Sequence, residues 1–442
     1  NTSGANNVAV GKSALGANTT ASNSTAVGKG ALTASTGAFN TAVGSISATA
    51  VTAGARNTAL GYGALQTDTQ GSRATALGFN ALGNQNFTSA TDSYNVGIGY
   101  DAGGALTTGQ FNTFVGSLSG DANTTASGNS SLGYSSLSGN TTGEFNAAVG
   151  REAMEANTEG SNNTALGFRA LEADTKGSHS VAIGRQALKV QNFTSATDSH
   201  NTAVGNNAGQ ALTTATYNTL MGSNVATSIT TGGYNTFVGS SAAGNAETVA
   251  FSSIVGMSTL TGDTSSNNCN GLGYGITCVT GYTTLGITSS DIRAQHGVAT
   301  WSTVSDERYK KDITDSTLGL SFISALKPRT FKYRNKGELP DTFSAYEEGS
   351  TEVYKFPETQ LGFIAQEVKT AIDADSNVVD GFKMWDERPD GSQEIAEAAL
   401  IPVLVKAVQE LSAKNDALEA QNTTQATQIA DLITRVTALE AE

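Results

Sequence analysis

Proline is scarce, at 5 residues in 442, and cysteine scarcer, at 2. There are 3 histidines, 4 methionines and 2 tryptophans. Two cysteines cannot make a disulfide framework or, by themselves, a structural zinc site. His179, His200 and His296 lie too far apart in sequence for a local metal motif, so neither metal nor cofactor is expected. Basic residues are also few. Lys and Arg number 25 against 39 Asp and Glu, for a net charge of −14, and phosphate backbones need clustered cations, so nucleic acid is not an expected partner. No run approaches the ~18 apolar residues of a membrane span, so no membrane insertion is expected. Charge of either sign is thin along most of the chain: 24 of the 64 charged residues fall in the first 300 positions and 40 in the last 142. That shift places the main boundary near residue 300. The first residue is Asn1 rather than Met, which reads as a processed or partial chain.

Glycine, by contrast, is abundant, at 50 residues. Without proline this is unlike a disordered linker and points to many tight turns between short ordered segments. A unit close to N-T-A-V/L-G-x-x-A-L recurs, with its glycine at 11, 28, 44, 61, 78, 99, 116, 133, 150, 167, 184, 205, 222, 239, 256 and 273. The spacing is 17 except for one 16 and two 21s. In all sixteen copies the preceding residue is aliphatic or Met, and in eleven the residue four before is Asn. Seventeen residues are too few for a helix pair but suit two short strands and two turns, one coil of a parallel β-roll or β-helix. Stacked coils are expected to line up the aliphatic residues as an internal ladder and the Asn amides as another, each amide bonded to the next. Fifteen steps of ~4.8 Å make a rod of roughly 70 Å.

Both 21-residue spacings come from one insert, "QNFTSATDS", at 85–93 and 191–199. Loops that break a regular scaffold often carry function, which makes Phe87 and Phe193 candidates for lateral binding. Phe114, Leu220 and Phe237 interrupt a column of small residues and are expected to face a neighbouring chain. Cys269 takes the Asn slot of the last rung, with Cys278 nine residues on; buried free thiols are the simpler reading for both. The units resemble the head repeats of trimeric autotransporter adhesins and, more closely, those of phage tail-fibre-like proteins. The resemblance covers about residues 6–275 and implies a trimeric β-roll.

From Trp301 the composition turns globular. Trp301, Phe322, Ile323, Leu326, Phe331, Tyr333, Phe356, Leu361, Phe363 and Ile364 form a candidate small core. Residues 316–328 read as a short helix ended by Pro328, 329–335 as a strand, and 361–372 as a strand or turn entering a helix. Further on, Leu404, Leu411, Leu418, Gln425, Leu432 and Leu439 recur every seven residues, as do Val408, Asn415, Asn422, Ile429 and Val436. These are the d and a positions of a coiled coil. Val or Ile at a with Leu at d favours two strands; the rod and its family favour three, and three is expected.

"SDERYKKDI" (305–313), "LKPRTFKY" (326–333), "GFIAQEV" (362–368) and "LIPVLVKAVQEL" (400–411) together resemble the C-terminal intramolecular chaperone domain of phage tailspikes and fibres, the endosialidase type, over about residues 303–415. In that family the domain trimerises, assists the upstream β-structure and cuts itself off through a Ser–Lys dyad. The resemblance implies Ser305 as nucleophile and Lys310 as base, with supporting roles for Asp306, Arg308, Gln366 and Glu367. Spacing by itself does not choose Lys310 over Lys311. A lysine serves as base when burial or nearby positive charge lowers its pKa, and Lys311 and Arg308 are the nearby cations.

The expected architecture is mainly β: a trimeric β-roll shaft of ~17-residue coils over 1–285, a neck or linker over 286–302, a small α+β chaperone and self-cleaving domain over 303–395, and a coiled-coil helix over 396–442. The expected function is that of a homotrimeric phage tail fibre, part of the virion, meeting a host-surface receptor and other tail proteins. Its one enzymatic act is a single self-cleaving turnover. A bacterial surface adhesin is the first alternative and predicts a C-terminal membrane β-barrel, where this sequence reads as polar coiled coil. The second is a polysaccharide-degrading tailspike, which needs paired carboxylates, whereas the acids of 1–285 are sparse and scattered.

Overall fold

Thr-Ala-Val is a good strand but a short one, and a glycine then turns the chain. Each repeat therefore folds as a short strand followed by a string of turns, the strand three residues long from Val8–Val10 through Thr25–Val27 and Thr41–Val43 to Ser253–Val255, and five in the last, Asn270–Tyr274. The computed structural model describes residues 2–298 and 300–440. Two compact units divide at Ser305/Asp306. The first is a mainly β solenoid of about sixteen turns, its strands parallel and in register from coil to coil, so that Ala26 pairs with Ala42 and Ala148 with Ala165. Thr197–Asp198 and Thr91–Asp92 are short extra strands contributed by the two inserts.

The repeating glycine is required at both ends of its geometry. Gly150 has φ +131°, and a Cβ there would stand 2.5 Å from the Gly167 carbonyl oxygen of the next coil. The column also runs one step beyond the sixteen repeats: Gly273 pairs with Gly286 in the strand Tyr282–Ile287. Antiparallel strands Ser290–Gln295 and Trp301–Thr303 follow, the first inside the stretch read as a neck and the second running one residue past it.

The orientation of the strands reverses the expected ladders. The alanine two before the glycine points inward, and the aliphatic residue one before it points outward. Ala26, Ala42, Ala59 and Ala76 are fully buried. None of the sixteen aliphatic residues is buried, and Leu132 and Leu166 keep 51% and 46% of their surface. Volume decides this. From the coil of Gly11 to that of Gly239 the residue four after the glycine is also buried, and in several coils that position takes the large side chain: Leu32, Leu65, Leu82, Met154, Leu171 and Leu188. Phe114, Leu220 and Phe237 also point inward, not towards a neighbouring chain, and all three are fully buried. In their coils the second position shrinks to Gly120, Ala226 and Ala243. A Cβ on Gly120 would stand 2.5 Å from the Phe114 ring.

The Asn ladder exists, but its bonds run mainly to backbone. The Asn112 Oδ1 accepts the Asn129 backbone N–H at 2.9 Å, and its Nδ2 donates to the Ala126 carbonyl at 2.9 Å. Asn129 and Asn146 repeat both bonds one and two coils on. Direct amide-to-amide bonds occur at Asn218 to Asn201, 3.2 Å, and Asn235 to Asn218, 3.0 Å. Each amide thus satisfies corner peptides that the three-residue strands leave unpaired. Cys269 and Cys278 are buried free thiols.

In the second unit, α1 (Leu320–Ala325), α2 (Ala365–Ala374) and the start of α3 (Leu400–Glu440) enclose a small core. It holds Leu318, Phe322, Val368, Met384, Leu400 and Val403, with Ile323, Leu326 and Phe363 at its margin. Six of the aromatic and aliphatic residues expected there lie outside it: Phe331, Tyr333 and Ile364 are not part of this cluster, and Trp301, Phe356 and Leu361 are exposed. Two antiparallel hairpins, Arg329–Phe331 with Gln360–Gly362 and Trp385–Glu387 with Gln393–Ile395, complete the unit. Beyond Ala407 every described residue of α3 except Glu410 is exposed, including the whole heptad seam from Val408. The segment read as coiled coil passes the described residues at 441 and 442. Among the described residues no helix is long and apolar enough to cross a membrane.

Replacing Gly150 with Ala should lower the melting temperature clearly, since left-handed strain of ~1–3 kcal/mol adds to a backbone clash. Gly244→Ala is the control. Its φ is not in the left-handed region, and its nearest heavy atom, the Ser241 carbonyl oxygen, is 3.5 Å away. Equal melting temperatures for the two variants would refute this account of the column.

Candidate functional site

The strand Trp301–Thr303 brings the chain to Ser305, an exposed serine and the last residue of the first unit. Asp306 caps a single 3-10 turn, Glu307–Tyr309: its Oδ1 accepts the Arg308 backbone N–H at 2.9 Å. The same carboxylate receives the Arg308 guanidinium at two points, 2.9 and 2.7 Å. Arg308 holds the Asp306 carboxyl below its usual range, and Asp306 raises Arg308 in turn. The positive charge expected to act on the lysine is therefore balanced on Arg308 by its own neighbour. Lys310 ends the turn, its backbone N–H returning to the Glu307 carbonyl at 2.9 Å, and its side chain is exposed, as is that of Lys311.

Gln366 and Glu367 open α2. Glu367 receives Arg329 at two points, 3.0 and 2.6 Å, which ties the first hairpin to the helix. Arg329 holds the Glu367 carboxyl below its usual range. Gln366 is exposed and lines a cavity of about 570 Å³ with Phe331, Tyr333, Tyr354 and Phe363. The structure thus pairs Asp306 with Arg308 and Glu367 with Arg329, two ion pairs on different elements.

Residues 305–376 match the family model described as the chaperone of endosialidase. The match begins at Ser305. It takes in Lys310, α1, the first hairpin and α2, and it stops before α3, whereas the motifs suggested about residue 415. Neither a curated protein nor a solved structure matches the chain.

The inserts are built differently from the expectation placed on them. Phe87 and Phe193 are buried, at 5% and 6% exposure, so their rings fill the scaffold and present nothing to a ligand. The outward residues of the first insert are Thr88, Ser89, Ala90 and Asp92. Each insert hangs on a buried carboxylate from the coil before it. Asp174 Oδ1 accepts the backbone N–H groups of Gly177 and Phe193, both at 3.0 Å, and its Oδ2 accepts the Gln191 amide at 2.6 Å. Asp68 does the same for Gly71, Phe87 and Gln85. Burial raises the Asp68 pKa above 3.8, against the lowering effect of these bonds. A raised carboxyl contributes most below its unfolded pKa, and that contribution fades as pH rises through the folded value. The signal for both anchors was present: an aspartate 17 residues before the glutamine that opens each insert.

Two further features were missed because their members lie one coil apart. Aligned five residues before the glycine, Tyr94 and Phe111 stack, and so do His179, His200, Tyr217, Tyr234 and Phe251, with centroids 4.9–5.1 Å apart along the longer run. Stacking also corrects the view of the acids as scattered: Glu152, Glu155 and Glu172 come together. Arg169 bridges Glu152 and Glu172 at 2.5 and 3.4 Å, and Arg151 also binds Glu152, which makes an ion-pair ladder.

Asp174→Ala strands three buried donors at ~1–3 kcal/mol each. Hydrogen exchange should accelerate over 191–199 and stay unchanged over 85–93, where Asp68 still anchors the first insert. Equal exchange in both inserts would disprove the anchoring role.

Proposed function

We propose that the chain is a homotrimeric fibre or appendage of a phage tail, that it attaches to a host surface, and that its C-terminal unit is an intramolecular chaperone which then cuts the chain beside Ser305. The observation that carries this reading is the family match, which starts at the proposed nucleophile. The division of the chain supports it: the two self-contained units meet at Ser305/Asp306, so a cut at Val304–Ser305 would separate them almost cleanly.

In the proposed reaction the Ser305 Oγ attacks the Val304 carbonyl carbon, and a lysine Nζ, Lys310 by the family resemblance, takes the hydroxyl proton. The C–N bond breaks as that proton passes to the Ser305 nitrogen, leaving an ester. Water hydrolyses the ester to a Val304 carboxylate and a free Ser305 amine. Lys310 is exposed in the single chain. Packing of further copies is the source of the burial that a lysine base needs, which couples cutting to assembly.

Trimerisation is supported by two apolar columns left uncovered in one chain: the outward aliphatic residues of the solenoid and the heptad seam of α3. Contiguous exposed apolar surface on this scale marks an interaction site. Further copies of the same chain are the natural cover, because both columns repeat with the period of the fold itself.

Intact mass and denaturing gels of wild type, Ser305→Ala and Lys310→Ala test the cleavage. Wild type should break into pieces of 304 and 138 residues while both variants stay whole. Three intact chains under conditions where the oligomer forms would overturn the self-cleaving role. Light scattering tests the assembly. Leu132→Glu with Leu166→Glu should shift the mass from trimer towards monomer and leave the β circular dichroism unchanged, since both side chains are exposed in the single chain. An undisturbed trimer would place the interface elsewhere.

A further inference from the structure

The second insert differs from the first where its added strand meets the coil before it. In the first, Arg73 Nε contacts Asp92 Oδ1 at 3.1 Å and Arg73 Nη1 donates to the Tyr94 hydroxyl at 2.8 Å. The carboxylate is neutralised by a fixed cation that cannot ligate a metal. In the second, the equivalent residues are His179, Asp198 and His200. The aspartate is kept, and both of its neighbours become imidazoles.

The backbone holds these three together. Ser178 pairs with Asp198 in parallel register, which sets His179 and His200 one long coil apart on adjacent rungs. Their rings stack with centroids 5.1 Å apart, and His179 Nδ1 lies 3.1 Å from Asp198 Oδ1. One nitrogen of each ring and one carboxylate oxygen all lie within 4.8 Å of one another. A tetrahedral ion with bonds near 2.1 Å needs donors roughly 3.4 Å apart. All three side chains are exposed, so rotation about their χ angles can close that difference.

We propose that His179, Asp198 and His200 form a surface site for a borderline divalent cation, Zn2+ being the type ion. Two imidazoles and one carboxylate suit Zn2+, Ni2+ or Cu2+, whereas Mg2+ and Ca2+ favour all-oxygen sets. Water completes the coordination. The ion clamps the second insert to the preceding coil, a role that the Arg73–Asp92 pair fills without metal in the first. The 21-residue separation of the histidines, which excludes a local motif, is itself the length of the coil that brings them together.

The first insert also supplies a fold-preserving control: His179→Arg with His200→Tyr rebuilds side chains that the same scaffold already accepts. Tag-free, chelator-treated full-length protein is titrated with ZnCl2 by calorimetry, and its melting is followed in parallel. The wild type should bind about one ion per chain saturably and melt at a higher temperature with zinc. The double variant should lose both effects while keeping its circular dichroism. Asp198→Asn should bind at least ~10-fold more weakly, no less than the loss of an outer-shell partner costs. No saturable binding in the wild type, or binding that survives the double variant, would overturn the site.

Discussion

The cross-section of a seventeen-residue coil governs much of this structure. Its interior is narrow, and a large side chain at one of the two facing positions goes with a small one at the other. Leu or Met four after the glycine goes with Ala two before it, and Phe114, Leu220 or Phe237 goes with Gly or Ala. The β-branched and long aliphatic residues of the strand are thereby pushed outward. A chain that folds its coils in this way is left with an apolar face, so the solenoid packing and the exposed aliphatic column have one cause.

The same narrowness forces an expensive backbone. Residues such as Leu32, Leu65, Leu82 and Leu188 adopt φ near +50°, where L-residues other than Gly, Asn and Asp are uncommon. Each costs of order 1–2 kcal/mol, offset by ~1.5–3 kcal/mol for burying the side chain. That offset is complete only when the neighbouring coil is present, because each rung closes the next. The first rung to form has strain without cover. Stacked repeats of this kind propagate readily once begun, and starting them is the difficult step. A folded unit at one end of the solenoid is a reasonable answer to that difficulty, and it agrees with the chaperone match at residues 305–376.

The period, the glycine column and the inserts were legible because they are sequence-local and invariant. Which way the strand faces was not. Thr-Ala-Val offers a small and a large apolar residue on opposite faces, and hydrophobicity favours burying Val where volume demands Ala. The Asn column was legible as buried, but its partners were not, since the corner carbonyls it serves lie 14 residues ahead in the chain. The aromatic and histidine stacks use Tyr, Phe and His interchangeably at one position, so identity hides them and only alignment on the glycine reveals them. In the second unit the reading of 361–372 as a strand or turn entering a helix matches Gln360–Gly362 and α2. Leu318 and Met384 lie outside the helices and strands, where no periodicity marks a core position.

Repeats also pose a problem of register. In the proposed trimer, a slip of one coil between chains would set aliphatic against aliphatic almost as well as the correct pairing does. Composition along the rod cannot forbid it, because neighbouring rungs are nearly alike. Irregularities can. A four-residue insert facing an ordinary coil would leave a mismatch, and there are two such inserts, 106 residues apart. In the same proposed trimer, polar Asn415, Asn422 and Gln425 on the exposed face of α3 would add to this, since amides in an otherwise apolar seam favour partners at their own level. The deviations from the ideal repeat are therefore where alignment is specified. In the proposed trimer the regular coils would supply extent and surface, and the exceptions would decide how one copy lies against the next.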